Sequence, residues 1–153
     1  MAANKKPRKR YKPRPADDFA TYKAVAKCTA FNEAEHKSVT APVAVSWHRL
    51  QNGIADLSDL DVFADVLATC TMAAEKMDPY LQEVCKEASD AVCKMAERYG
   101  RCRKVGLDAD SMRVLPSLIE YYDELTSKAT AGDLSKWLGE AMRIKEKAYG
   151  VPA

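Results

Sequence analysis

The strongest constraint in this sequence is a pair of apolar stripes with helical period, set one after the other. Leu60, Phe63, Ala64, Leu67, Cys70, Thr71, Ala74 and Met77 recur at i, i+3, i+4 and i+7 spacing. Leu81, Val84, Cys85, Ala88, Val92, Met95, Ala96 and Tyr99 repeat the pattern. A period of about 3.6 residues puts each set on one face of a helix, and no strand with its period of two can do the same. Each stripe has to be covered by another element. Ser58, with Asp61 three residues on, is placed to cap the first helix. Asp78-Pro79 opens the second, with proline at its first position, where the missing N–H costs nothing. Its outer face carries Glu87, Asp90, Lys94, Glu97 and Arg101, including Asp90–Lys94 and Glu97–Arg101 at favourable i, i+4 spacing. The stop falls at Gly100 or Gly106.

The remaining segments are read on the same pattern. Asp17-Asp18 is placed to cap a helix with Phe19, Tyr22, Val25 and Ala26 on one face. The polar stretch from Asn32 to Thr40 reads as a loop. Pro42 then suits the first turn of a short helix with Val43, Val45, Trp47 and Leu50, ended by Gly53. Asp108 or Ser111 opens a helix with Met112, Leu115, Ile119, Tyr122 and Leu125 inward, and Pro116 inside it predicts a kink. Thr130 and Asp133 cap a last helix with Leu134, Trp137, Leu138, Ala141, Ile144 and Ala148 on its apolar face, before Gly150 and Pro152. Short links favour antiparallel neighbours. The expectation is an all-α compact bundle of about five helices, one domain over 17–153, behind a flexible basic tail over 1–16.

A chain of 153 residues buries enough surface to fold without disulfide or metal. The five cysteines, Cys28, Cys70, Cys85, Cys93 and Cys102, show no C-x-x-C spacing, and most fall on apolar helix positions. They read as buried free thiols of a reducing compartment. A zinc site with His36 or His48 would need the close ligand pairs that are missing. No apolar run approaches the ~20 residues of a membrane span, and the charged N-terminus lacks the apolar stretch of a signal peptide. These features predict a cytoplasmic protein with no membrane contact.

Charge is divided unevenly. Residues 1–16 hold seven cations (Lys5, Lys6, Arg8, Lys9, Arg10, Lys12 and Arg14) and no acid, while the rest holds 17 cations and 22 acids, a net of −5. Pro7, Pro13 and Pro15 forbid a helix there and favour an extended chain. An extended cationic leader can follow a phosphate backbone, and Tyr11 can stack on a base. The same composition suits a solvated leader, or one lying on the acidic body. It also resembles a basic nuclear-import run. A second basic cluster is Arg98, Arg101, Arg103 and Lys104, where cations stabilise a helix C-terminus but also suit phosphates or an acidic protein. An acidic cluster, Asp56, Asp59, Asp61 and Asp65, is what a helix N-terminus favours, and is also a candidate face for a basic partner or a divalent cation.

The order of signals resembles a known group. A leader of the RKRYKPRP kind precedes His48-Arg49-Leu50-Gln51-Asn52-Gly53 and Ile54-Ala55-Asp56-Leu57-Ser58-Asp59. Arg98-Tyr99-Gly100, Tyr122-Asp123-Glu124-Leu125 and Thr130-Ala131-Gly132-Asp133-Leu134 follow. This resembles small proteins encoded in bacteriophage and prophage genomes that begin with basic, proline-rich tails. The resemblance implies a phage-borne accessory protein in a bacterial cytoplasm, and it brings no functional residue with it. No Gly-rich phosphate loop, metalloprotease pair, nucleophile elbow or kinase set occurs. The expectation is therefore a non-enzymatic viral protein without catalytic residues, cofactor or metal. Its leader would contact nucleic acid or a nucleoprotein complex. The alternative is inhibition of a host protein or a defence complex, such as a CRISPR effector, through the helical body. A place in the virion or in DNA packaging is a further reading. The oligomeric state stays open, with Val43, Val45, Trp47 and Trp137 serving either the core or a dimer interface.

Overall fold

In the computed structural model the described residues are 28–75 and 79–149, with side chains described as far as Ile144 in the last helix. The leader over 1–16, the expected helix through Phe19, Tyr22, Val25 and Ala26, the Met77 and Asp78 positions, the Ala148 side chain and the stop at Gly150 and Pro152 lie outside them. Among the described residues five helices form an all-α compact bundle: α1 Glu33–Gln51, α2 Leu57–Ala74, α3 Pro79–Cys102, α4 Ala109–Lys128 and α5 Ala131–Tyr149. Helix α2 is the axis of the fold. It packs against each of the other four, while α5 packs principally on α2. The composition of α2 explains its place, because nine of its 18 residues are buried: Asp59, Leu60, Phe63, Val66, Thr69, Cys70, Met72, Ala73 and Ala74. Phe63 is wholly buried, and Trp47 of α1 meets its ring edge-on at 6.4 Å. Burying a phenylalanine completely is worth roughly 2–3 kcal/mol. Leu115 and Leu118 of α4 and Met95 of α3 complete this centre.

The stripe of α3 is where the sequence puts it, with Cys85, Ala88, Val92 and Met95 buried and Pro79 at the first helical position. Other expectations are corrected. Asn32–Thr40 is not a loop, because α1 starts at Glu33. The Asn32 side chain accepts the Glu35 N–H at 2.9 Å, and Glu35 returns the bond to the Asn32 N–H at 2.9 Å. That reciprocal cap starts the helix early, and only His36, Val39 and Thr40 of its first turns are partly covered. Pro42 therefore lies inside α1 and not in its first turn. The cap of α2 is Asp56 with Asp59, two residues before the expected Ser58 with Asp61. Ala64 and Ala96 are exposed, as are Val45, Met112 and Ile144. Val43 and Trp137 fill the core. Lys94 reaches across to Asp110 of α4 at 3.2 Å, an interhelical pair in place of the expected one with Asp90. Helix α4 runs continuously through Pro116. At the start of α5, Thr130 Oγ1 accepts the Asp133 N–H at 3.1 Å and Asp133 accepts the Thr130 N–H at 3.0 Å, the expected cap. Just before α1, Ala30 pairs with Thr130 in an antiparallel bridge.

Candidate nucleic-acid interface

Lys5, Lys6, Arg8, Lys9, Arg10, Tyr11, Lys12 and Arg14 lie outside the described residues. The second basic cluster is described in full. Helix α3 ends at Cys102, between the two expected stops. Near that end the Arg103 N–H donates to Tyr99 O at 2.8 Å, and the Cys102 thiol donates to Arg98 O at 3.1 Å. Arg103 then takes φ 55°, the left-handed region. There the side chain of an L-residue crowds its own carbonyl, at a cost of roughly 1 kcal/mol or more. The end of α1 shows the ordinary solution. Gly53 holds φ 67°, its N–H donates to Leu50 O, and the Ile54 N–H donates to Arg49 O. This is a Schellman ending with glycine where glycine is favoured.

The four cations at the end of α3 stand in two environments. Arg98 is half-buried, with its guanidinium 3.5 Å from where a Cβ on Gly106 would stand. It serves the start of α4. The Asp108 carboxyl is held below its usual value first by the Ser111 backbone N–H and then by the Ser111 side chain, with smaller help from the charges of Lys94 and Arg98. Arg101, Arg103 and Lys104 are exposed, and among the described residues none of them has an ion-pair partner. The Arg103 guanidinium lies over the Tyr99 ring, 5.6 Å from its centroid. The i, i+4 spacing of Tyr99 and Arg103 is a signal in the sequence that the charge reading passed over.

The acidic cluster is the reverse case. The Asp56 carboxylate caps α2 by accepting the Ser58 N–H at 2.9 Å. Asp59, 3% exposed, accepts the Ser46 hydroxyl at 2.9 Å and the Asp56 N–H at 2.8 Å. Arg49 closes the group, with Nη2 2.8 Å from Asp56 and Nε 3.2 Å from Asp59. The Ser58 hydroxyl is the main cause of the lowered Asp56 pKa, with Arg49 contributing. Of the expected four-acid partner face Asp59 is buried, and Asp56 stays exposed with Asp61 and Asp65 but is paired with Arg49. Ser46 and Arg49, which engage Asp56 and Asp59, come from the preceding helix and carried no mark as partners in the sequence.

Other polar groups have structural partners. His36 Nε2 is 3.2 Å from the Asp123 carbonyl oxygen and 3.3 Å from its carboxylate, tying α1 to α4. His48 is within 3.3 Å of Asn52 Nδ2. Among the described residues no three His, Cys, Asp or Glu converge as a metal site. Only Cys70 and Cys85 are buried; Cys28, Cys93 and Cys102 are exposed, correcting the expectation for most of them. Burial raises the Cys70 and Cys85 thiols and pushes Tyr121 and Tyr122 up to about 12. Among the described residues two open grooves stand out on the surface. One, of about 340 Å³, runs between α3 and α4 past Tyr80, Glu83, Glu87, Arg113 and Ser117. The other, of about 310 Å³, lies between α1 and α4 over Val43, Ala44, Ile119 and Tyr122. Neither contains a residue of the charged clusters. No helix among the described residues is long and apolar enough to cross a membrane. Comparisons with protein-family models, curated proteins and solved structures find no match to the chain.

Proposed function

We propose that this chain is a non-enzymatic accessory binding protein, of the phage type its sequence resembles, that contacts nucleic acid or a nucleoprotein complex through its basic leader. The observation that carries this reading is charge segregation: seven cations and no acid in residues 1–16, against a net of −5 in the remainder. A body of that sign is repelled by phosphates, so the attraction has to come from a local concentration of cations. Release of condensed counterions then supplies the free energy. A gel-shift titration at two salt concentrations tests it, with the full chain and with a chain lacking residues 1–16. If all seven leader charges meet duplex phosphates, the log–log salt slope of the full chain exceeds that of the shortened one by about 6. Equal binding by the two chains removes the reading.

A second reading, inhibition of a host protein or of a defence complex such as a CRISPR effector, is favoured by the exposed apolar side chains Val45, Ile54 and Leu57, which are 56%, 62% and 45% exposed. They belong to α1, the α1–α2 link and the first residue of α2. Pull-down from bacterial lysate tests it. A host protein enriched by the wild-type chain and lost with Ile54→Ser and Leu57→Ser supports the reading; an empty eluate counts against it.

A further inference from the structure

We infer that the turn closing α3 is a second, sequence-independent contact for a nucleic-acid backbone, in which Arg101, Arg103 and Lys104 meet phosphates. The inference rests on the nucleic-acid reading above and adds to it a site on the folded body.

Three observations carry it. First, these side chains do not cap the helix end: among the described residues none of them hydrogen-bonds to its carbonyls, and Tyr99 O is met by the Arg103 backbone N–H. Second, the neighbouring cations are engaged by acids and these are not. Lys94 pairs with Asp110, and Arg98 lies against Gly106 and lends its charge to Asp108. Arg101, Arg103 and Lys104 stand exposed without an ion-pair partner among the described residues. Third, Arg103 occupies a left-handed position at φ 55° that glycine would fill with less strain. Strain kept at an exposed cation is better explained by a role for that cation than by stability.

The geometry also selects the ligand group. The Tyr99 face is already covered by the Arg103 guanidinium, 5.6 Å from its centroid, so the ring is not offered to a base. What the turn presents outward is positive charge and N–H donors. Those fit phosphate oxygens, which carry no sequence information. Duplex and single strands should therefore both bind, with a salt slope of about 0.9 per phosphate contact on duplex and about 0.7 on a single strand.

The experiment uses full-length chains on a mixed-sequence duplex and on its separated strand, titrated over a range of salt. Arg103→Gly should lower the duplex slope by about 1 while raising Tm by about 2 °C, as release of the strained backbone outweighs loss of an exposed cation–ring contact. The pair Arg101→Gln and Lys104→Gln should lower the slope by about 2, by the same amount on unrelated sequences. A further chain, with the seven leader cations each replaced by glutamine, separates the two claims. If the leader replacement lowers the slope and the turn variants leave it unchanged, the turn is not a phosphate site and the leader reading stands. If the turn variants lower the slope and the leader replacement does not, the turn stands and the leader reading fails. A fall in Tm for Arg101→Gln and Lys104→Gln with an unchanged slope would assign these cations to helix stabilisation and overturn the inference. A wild-type chain that binds neither strand nor duplex overturns both.

Discussion

The N-terminus of α2 and the C-terminus of α3 are mirror images in the sequence and opposites in the fold. Each gathers charge of the sign its helix end prefers, acids at the positive end and cations at the negative end. At α2 the charge is used internally. Asp56 and Asp59 are tied to Ser58, Ser46 and Arg49, and Asp59 is buried. At α3 only Arg98 is drawn into the fold, and Arg101, Arg103 and Lys104 face solvent. The difference lies in what the adjoining element brings. Helix α1 delivers a guanidinium and a hydroxyl to the acids. Helix α4 delivers Asp108 and Asp110, which engage Lys94 and Arg98 but leave the last turn open. A charge cluster at a helix end becomes a surface feature only when its neighbour fails to neutralise it.

The largest expected effect breaks the closed end. Asp59→Ala removes a buried carboxylate that joins α1 to α2 and leaves the Ser46 hydroxyl and the Arg49 guanidinium without it. The expected loss is about 3 kcal/mol, read as a lower midpoint in urea. Ser46→Ala should cost about 1 kcal/mol. Asp61→Ala and Asp65→Ala, on the exposed remainder of the cluster, should stay within about 0.5 kcal/mol. If all four substitutions cost the same, the division of the cluster into an internal and an external half is wrong.

A second effect comes from the interior that the closed end helps to hold together. Cys70, Cys85, Tyr121 and Tyr122 all have raised pKa values, in each case chiefly from burial. These groups are neutral when protonated, and the fold favours that form. Their contribution is complete below the ordinary values of 9.0 for the thiols and 10.0 for the phenols. It is lost as pH rises through those values toward the folded ones, about 12 for the two tyrosines. Tm should therefore decline above about pH 9. Tyr121→Phe should make that decline shallower. A Tm level to pH 12 would show that these groups are not sheltered.

Much of the fold was legible because it rests on local periodicity. The α3 stripe is continuous, and Pro79 marks its start without ambiguity. The Thr130–Asp133 cap was equally plain, since both partners lie within one turn. What escaped depended on distance or on thin packing. The first half of α1 buries no residue, so its helix shows as polar sequence, and only the Asn32–Glu35 cap betrays it. Two cap spacings compete before α2, Asp56–Asp59 and Ser58–Asp61. The decision falls to Arg49 and Ser46, which are remote from either. The basic turn was visible as composition, but its left-handed residue was expected to be a glycine. Gly100 lies within the helix and Gly106 three residues past Arg103.

The smallest effect sharpens the comparison by titration. Acids consumed by helix starts should leave a mark at low pH. Asp56, Asp108 and Asp133 all lie below the ordinary 3.8. The leading causes are the Ser58 hydroxyl for Asp56, the Ser111 N–H for Asp108 and the Thr130 N–H for Asp133. A depressed carboxyl stabilises the fold above its unfolded pKa, and that contribution is lost as pH falls through 3.8 toward the folded value. Asparagine at these positions keeps a capping oxygen and removes the charge. A chain carrying Asp56→Asn, Asp108→Asn and Asp133→Asn should be less stable than wild type at pH 7. The gap should close between about pH 5 and pH 2, because the wild-type acids lose their charge over that range. A gap that stays constant with pH would mean that the three caps act through shape alone, and that charge at the start of α2 is no more committed than charge at the end of α3.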